Sequence, residues 1–265
     1  MGKKIRLYFS FAAVALRAQM IHRGAFWAGF VGQFLSHGAR FASIYFMVRA
    51  FDSVGGWNAD QVLFFYGFNM LAYALASSVF FFPTKNLNRK IRTGEFDASL
   101  TKPMNPLAHE VFLGFNPGYI CHFTLSITAM ALSARGAGFE VSRLPLLIVL
   151  LLGAALVYGA MYVFQSAGAF RFIYSNPLAL LMGIGRDFVE YPISIYHRVI
   201  QGILTFALPF AFMSFYPVAA ALGIADAGAF PAWLGYLTPA AGAGLLFLSV
   251  TLWNRVSRCY KSTGT

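Results

Sequence analysis

The sequence predicts an all-α polytopic membrane protein with six transmembrane helices, an N-terminal amphipathic surface helix and both termini cytoplasmic. Three observations predict it. The first is composition: 58% of the 265 residues are hydrophobic and 11% charged, against about 25% charged in soluble domains, and mean hydropathy is +0.64. So little polar surface would not cover a water-facing globule. The same composition excludes a disordered chain, which needs low hydrophobicity and high charge. The second is a set of six apolar runs long enough to cross a bilayer. The third is the collection of basic residues on alternate loops.

Residues 1–25 form the first element. Lys3, Lys4 and Arg6, the apolar stretch Leu7 to Leu16 and Ala13-Val-Ala15 resemble a signal peptide. However, Ile5, Phe9, Ala12, Leu16 and Met20 share one helical face, while Arg6, Ser10, Arg17 and Arg23 lie on the other. That stripe favours a helix lying on the cytoplasmic membrane surface. Six stretches then supply the roughly 20 mostly apolar residues that a spanning helix needs. They are 26–50, 61–83, 107–133, 144–170, 199–222 and 233–254. A seventh piece, Pro177 to Gly185, is too short to cross and reads as interfacial or re-entrant. None of these runs alternates polar with apolar residues, which argues against barrel strands.

An even number of spans puts both termini on one side, and charge says which. With the N-terminus inside, the inner segments hold 16 of the 20 basic residues, the outer loops hold Arg49, Arg135 and Arg143, and Arg40 falls within span one. That is a strong positive-inside asymmetry. It accounts for most of the +11 net charge without nucleic acid as a partner. The outer loops, near 51–60, 134–143 and 223–232, are too short to fold separately. The chain therefore reads as a single membrane domain: six spans over 26–255, inner loops 84–106 and 171–198, and a cytoplasmic tail 256–265.

Chemistry-bearing patterns are sparse. Cys121 and Cys259 fall at different depths, and no Cys/His spacing suits zinc. There is no G-x-S-x-G, H-E-x-x-H or Walker A pattern. No catalytic or metal residues are assigned, and no cofactor is expected on this chain. None of the 9 acidic residues lies in the middle of an expected span; Glu110, in the first turn of span three, comes nearest. That argues against an ion-coupled secondary carrier, which commonly keeps a carboxylate near the midplane. A lipid-acting membrane enzyme would need a polar catalytic cluster.

Two polar features stand out. Gln33, His37 and Arg40 are spaced i, i+4, i+7 and share a face of span one. A charge there must face protein or water, so the stripe either lines a transport path or seals a helix interface. In span five Pro209 should kink the helix by removing a hydrogen bond. Phe206 and Phe210 beside it are either an aromatic wall of the path or ordinary apolar packing.

The first inner loop is the other candidate. Lys85, Arg89 and Arg92 form a basic helical face, and Gly94 suits a helix C-terminal cap. Glu95 and Asp97 then set acid beside base, and Phe96 and Leu100 supply two apolar knobs. Apolar anchors ringed by charge suit a protein interface.

Gly94-Glu95-Phe96-Asp97, with Leu100 and Pro103 following, resembles the inner-loop signature of bacterial ABC transporter permeases of the type-2 exporter class. Tyr191-Pro192-Ile193-Ser194-Ile195-Tyr196, followed by Thr205, Pro209, Tyr216 and Pro217, resembles the same family's pattern around span five. The resemblance implies a multi-pass permease of the bacterial inner membrane. It would pair with a second permease, identical or homologous, and bind two copies of a cytoplasmic ABC ATPase. ATP and Mg2+ would be held by the ATPase. Arg89, Arg92, Gly94, Glu95, Phe96, Asp97 and Leu100 would then form the coupling loop, with Glu95, Phe96 and Asp97 at the ATPase contact. The implied activity is export of a hydrophobic or amphipathic substrate by alternating access. The resemblance also implies a short re-entrant hairpin near 223–232.

Overall fold

A computed structural model describes residues 23–50, 53–113, 119–172, 177–225 and 228–260. The expected surface helix falls almost wholly outside these residues. The described chain is helical, with no strand among the described residues beyond one isolated bridge between Val54 and Trp57.

Helix α1 spans Arg23–Arg49 and α2 spans Ala59–Arg92. A reciprocal capping box starts α2: Asn58 Oδ1 accepts from the Gln61 amide at 2.8 Å, and Gln61 Oε1 accepts from the Asn58 amide at 2.9 Å. Gly94, at φ +72° just past α2, adopts the left-handed conformation that glycine tolerates best. A short α3, Asp97–Leu100, leads to α4, Pro106–Leu113, and α5, Ile120–Ser133. Helix α6, Leu144–Ala167, has a proline in its first turn, where the missing N–H costs nothing. Helix α10, Thr238–Arg258, is the last; α7, α8 and α9 lie between and are described below.

Three helical segments are long and apolar enough to cross a membrane: Ala59–Arg92, Val141–Phe170 and Ala232–Arg258. They match three of the six expected spans. Helix α1 has the length but carries the polar stripe. Expected span three is divided between α4 and α5 on either side of the undescribed residues 114–118.

Helices α6 and α10 pack backbone to backbone. A Cβ at Gly153 would stand 2.7 Å from the Pro239 Cα, and one at Gly242 would stand 2.4 Å from the Gly153 carbonyl oxygen. Small residues allow this close approach in an apolar medium, where dispersion replaces the hydrophobic effect.

The region expected to hold an inner loop and span five folds differently. Helix α7, Pro177–Phe188, and the residues after it, which include a 3₁₀ turn at Ile193–Ile195, run along α2 in the opposite direction. Asn88 Nδ2 donates to the Phe172 carbonyl at 2.8 Å. Arg186 lies over Tyr73, and Asn69 Nδ2 donates to the Val189 carbonyl at 3.2 Å. Ser194 Oγ donates to the Gly55 carbonyl at 2.9 Å. Partners thus climb from one end of α2 to beyond the other, so 171–198 is not confined to one face of the bundle. A 12-residue helix rises only about 18 Å at 1.5 Å per residue. Of residues 189–197, those outside the 3₁₀ turn Ile193–Ile195 gain up to about 3.3 Å each. A length rule for continuous helices misses such a composite segment.

Expected span five, 199–222, is likewise not one helix. It comprises α8, Arg198–Gly202, a π turn Ile203–Ala207, a 3₁₀ turn Pro209–Met213 and α9, Phe215–Leu222. The two limbs fold together, the Thr205 and Tyr216 hydroxyls meeting at 2.9 Å. Gln201 Oε1 accepts from the Ala229 amide at 2.8 Å, tying the hairpin to the chain that follows. Leu208 and Pro209 form the bend beside Met161 and Met182. Pro209 therefore ends a helical limb rather than kinking a continuous span.

Candidate functional site

A polar cavity of about 100 Å³ lies among α1, α2, α5, α6 and α7. Tyr66, Asn69 and Tyr73 enter it from one face of α2, at i, i+3 and i+7. His37 and Arg40 come from α1, His122 from α5 and Tyr158 from α6, while Arg186 and Glu190 come from α7 and its exit. Arg40 Nη2 donates to Glu190 Oε2 in an ion pair. The rings of His37 and His122 lie 4.1 Å apart, centroid to centroid. The Arg186 guanidinium sits 5.4 Å from the Tyr73 ring centroid, a cation–π arrangement.

Asn69 links this cavity to the break after α7. Its Oδ1 accepts from the Tyr158 hydroxyl at 2.6 Å, while its Nδ2 serves the Val189 carbonyl. Ser214 Oγ donates to the same carbonyl at 3.2 Å. A helix end leaves carbonyls without intrahelical donors, and in an apolar medium each needs another partner. Asn69 and Ser214 are those partners at Val189.

Of the stripe residues, the structure brings His37 and Arg40 into the cavity and leaves Gln33 exposed outside it. Glu190 is the residue the sequence argument misplaced. Assigned to an inner loop, it pairs with Arg40 beside Tyr66 and Asn69, so the acidic residues do not all lie at the ends of the bundle. Phe210 is buried and fills the space over Gly185, where a Cβ would stand 2.0 Å from its ring. Phe206 is exposed and touches Phe230 edge-on. Pro209 borders a separate apolar cavity of about 550 Å³.

The loop 84–106 has a buried side and an exposed side. Phe96 is fully buried with Leu87, Ile91, Val163 and Trp253. Its ring lies 5.4 Å from Phe170, 6.3 Å from Trp253 and 5.3 Å from Tyr260. The expectation that Phe96 is a surface knob is therefore corrected: the turn at Gly94 points this ring inward, onto the ends of α2, α6 and α10. Glu110 fastens the loop, accepting from Lys90 Nζ at 2.5 Å and Ser99 Oγ at 2.6 Å. Arg89, Arg92, Glu95 and Leu100 are exposed, and Asp97 is half-buried. Arg89 Nη1 donates to Glu95 Oε1 at 2.5 Å, and this bond holds the Glu95 carboxyl below the usual carboxylate range.

Cys121 and Cys259 are free thiols. Among the described residues, no group of three or more His, Cys, Asp or Glu side chains is placed to hold a metal ion.

A family model described as ABC-2 family transporter protein matches residues 34–264. Comparison with curated proteins and with solved structures returns no match.

Proposed function

The chain belongs to the ABC-2 transporter family, and from that premise we propose that it is the membrane permease subunit of an ATP-driven exporter. A separate cytoplasmic ATPase, in two copies, would bind ATP and Mg2+ and supply the energy. A second permease copy or a homologue would complete the path, in the inner membrane of a bacterium. The substrate would be hydrophobic or amphipathic and would leave by alternating access.

The observation that carries this reading is the two-sided loop. Its exposed residues are the apolar Leu100 and the charged Arg89, Arg92 and Glu95, the residue types from which an apolar anchor and a charged rim are built. Its buried side seats Phe96 against Phe170 after α6 and Trp253 on α10. Force applied by an ATPase at the exposed side would thus reach two long helices through one packed aromatic cluster. Interiors packed to crystal-like density transmit such strain.

We further propose that α1, the α4–α5 segment and residues 177–197 are the remaining crossings, and that 198–222 is a hairpin entering from the outer side. This revises the expected topology. Arg198 then lies at the outer surface, and Arg186 and Glu190 lie within the membrane.

The test is co-expression with an ABC ATPase encoded beside this chain. Arg92→Glu with Leu100→Glu should abolish co-purification, whereas Phe96→Ala should retain binding and lose transport-coupled ATP hydrolysis. Full ATPase capture by the charge-reversed loop sinks the docking role.

One observation favours a second reading. Glu190 supplies the interior carboxylate whose expected absence argued against ion coupling. Transport that follows a proton or sodium gradient without any ATPase would establish that alternative.

A further inference from the structure

We infer that the bundle binds a single-chain anionic amphiphile, its carboxylate or phosphate head at Arg186 and its apolar chain beside Met182. This rests on the exporter reading and names the class of its substrate. Arg186 belongs to the wall of two adjoining cavities, as does Tyr158. On one side is the polar cavity with Tyr66, Asn69, Tyr73 and the Arg40–Glu190 pair. On the other is a cavity of about 180 Å³ lined by Phe81, Met161, Met182, Phe210 and Met213. Met161 and Met182 also line the 550 Å³ cavity, where Leu208, Leu245, Leu248 and Leu252 continue the apolar wall. Small-molecule sites span about 300–1,000 Å³, so this third space is large enough for a chain.

Charge selects the head group. Glu190 offsets Arg40, whereas the carboxylate beside Arg186 is Asp187, 4.0 Å from Nη2, with its side chain 68% exposed. The polar cavity therefore keeps one guanidinium in excess. A guanidinium offers several donors in a planar fork, which fits a carboxylate or phosphate. The Tyr66 and Tyr73 hydroxyls in the same cavity can add donors to the same anion. Methionine-rich walls adapt to flexible chains better than branched residues do. An anion alone would leave the apolar cavities unused, and a neutral lipid chain would leave Arg186 with no ion-pair partner beyond the exposed Asp187 among the described residues.

The experiment uses the full chain in phosphatidylcholine nanodiscs, with radiolabelled dodecyl phosphate measured above empty nanodiscs. Saturable binding is expected, with displacement by dodecanoate. Dodecyltrimethylammonium and inorganic phosphate should not displace it. Arg186→Gln should weaken binding about tenfold or more, as loss of a charge-assisted contact does, and Arg186→Lys should restore most of it. Met182→Trp should weaken the chain-bearing probe while the preference for anions persists. Displacement by the cationic amphiphile, or by inorganic phosphate as effectively as by dodecanoate, overturns the proposal. So does unaltered binding in both Arg186→Gln and Met182→Trp. If Arg186→Gln does not fold, Met182→Trp and the competitors still decide. ATPase capture by the same preparation is scored separately: capture without dodecyl phosphate binding overturns the site alone, while binding without capture removes the exporter reading and upholds the site.

Discussion

Arg40 and Glu190 form an ion pair although 150 positions separate them in the chain. The pair joins α1 to the segment that leaves α7. Glu190 keeps 16% of its side chain exposed and Arg40 keeps 52%, so part of the Coulomb gain is screened. Glu190→Gln should still destabilise the chain by about 1–2 kcal/mol, because it leaves Arg40 without its counter-charge among apolar helices. Arg40→Gln with Glu190→Gln should cost less than the sum of the single changes. Thermal unfolding in detergent, arranged as a double-mutant cycle, measures this, and strict additivity would show the pair to be uncoupled.

Phe96→Ala should cost about 3–5 kcal/mol, the usual penalty for removing a buried aromatic ring. Leu100→Glu, on the exposed side of the same loop, should leave stability within about 0.5 kcal/mol. Denaturation midpoints beside ATPase capture separate the two roles. Stability should follow Phe96 and partner binding should follow Leu100. A Phe96→Ala chain as stable as the parent would contradict the burial.

Gly153→Leu should separate α6 from α10, since the new side chain meets the Pro239 backbone rather than a movable side-chain end. A loss of about 1–3 kcal/mol or more is expected from such overpacking. Gly183→Ala, where nothing lies within 4 Å, is the matched control and should be neutral or slightly stabilising.

Asn69→Leu removes the donor to the Val189 carbonyl and the acceptor for the Tyr158 hydroxyl. The Tyr158 hydroxyl is then left unpaired, at about 1–3 kcal/mol, while the Val189 carbonyl keeps Ser214 and loses one of its two donors. Faster hydrogen exchange over residues 186–193 than in the parent is the expected result, and unchanged exchange would remove Asn69 from its anchoring role.

The Arg89–Glu95 contact gives a pH dependence at the loop. Glu95 titrates below its ordinary value of about 4.5 in the fold. Its contribution is thus fully present above that value and is lost as the pH falls through the lower, folded one. Amide exchange at residues 94–97 should become less protected in that acid range in the parent. Glu95→Gln should show no such step.

Residues differed in how far their neighbours could be read from the chain. The three long apolar helices were legible because length and hydropathy suffice for them, and Gly94 was legible because a helix end needs a left-handed residue. The 3.6-residue period put His37 and Arg40 on one face, and both do enter the cavity. Glu190 was not legible. Its position depends on a composite segment, a helix followed by irregular chain, whose broken end is satisfied by Asn69 and Ser214 from elsewhere in the chain. No local pattern announces such long-range donors. Phe96 misled for a related reason: an aromatic residue in a charged loop reads as a surface anchor. Which way it points depends on the turn at Gly94 and on Trp253 far along the sequence.

The Val189 carbonyl holds two donors of different origin, one on α2 and one on the hairpin. A doubly served acceptor can release either donor and stay satisfied by the other. Parting the hairpin from α7 at Ser214 therefore forfeits a single hydrogen bond, about 0.5–1.5 kcal/mol net, and leaves the Val189 carbonyl paired with Asn69. At this carbonyl the fold carries a spare, and the seam between hairpin and bundle can open there without unmaking the α7 junction.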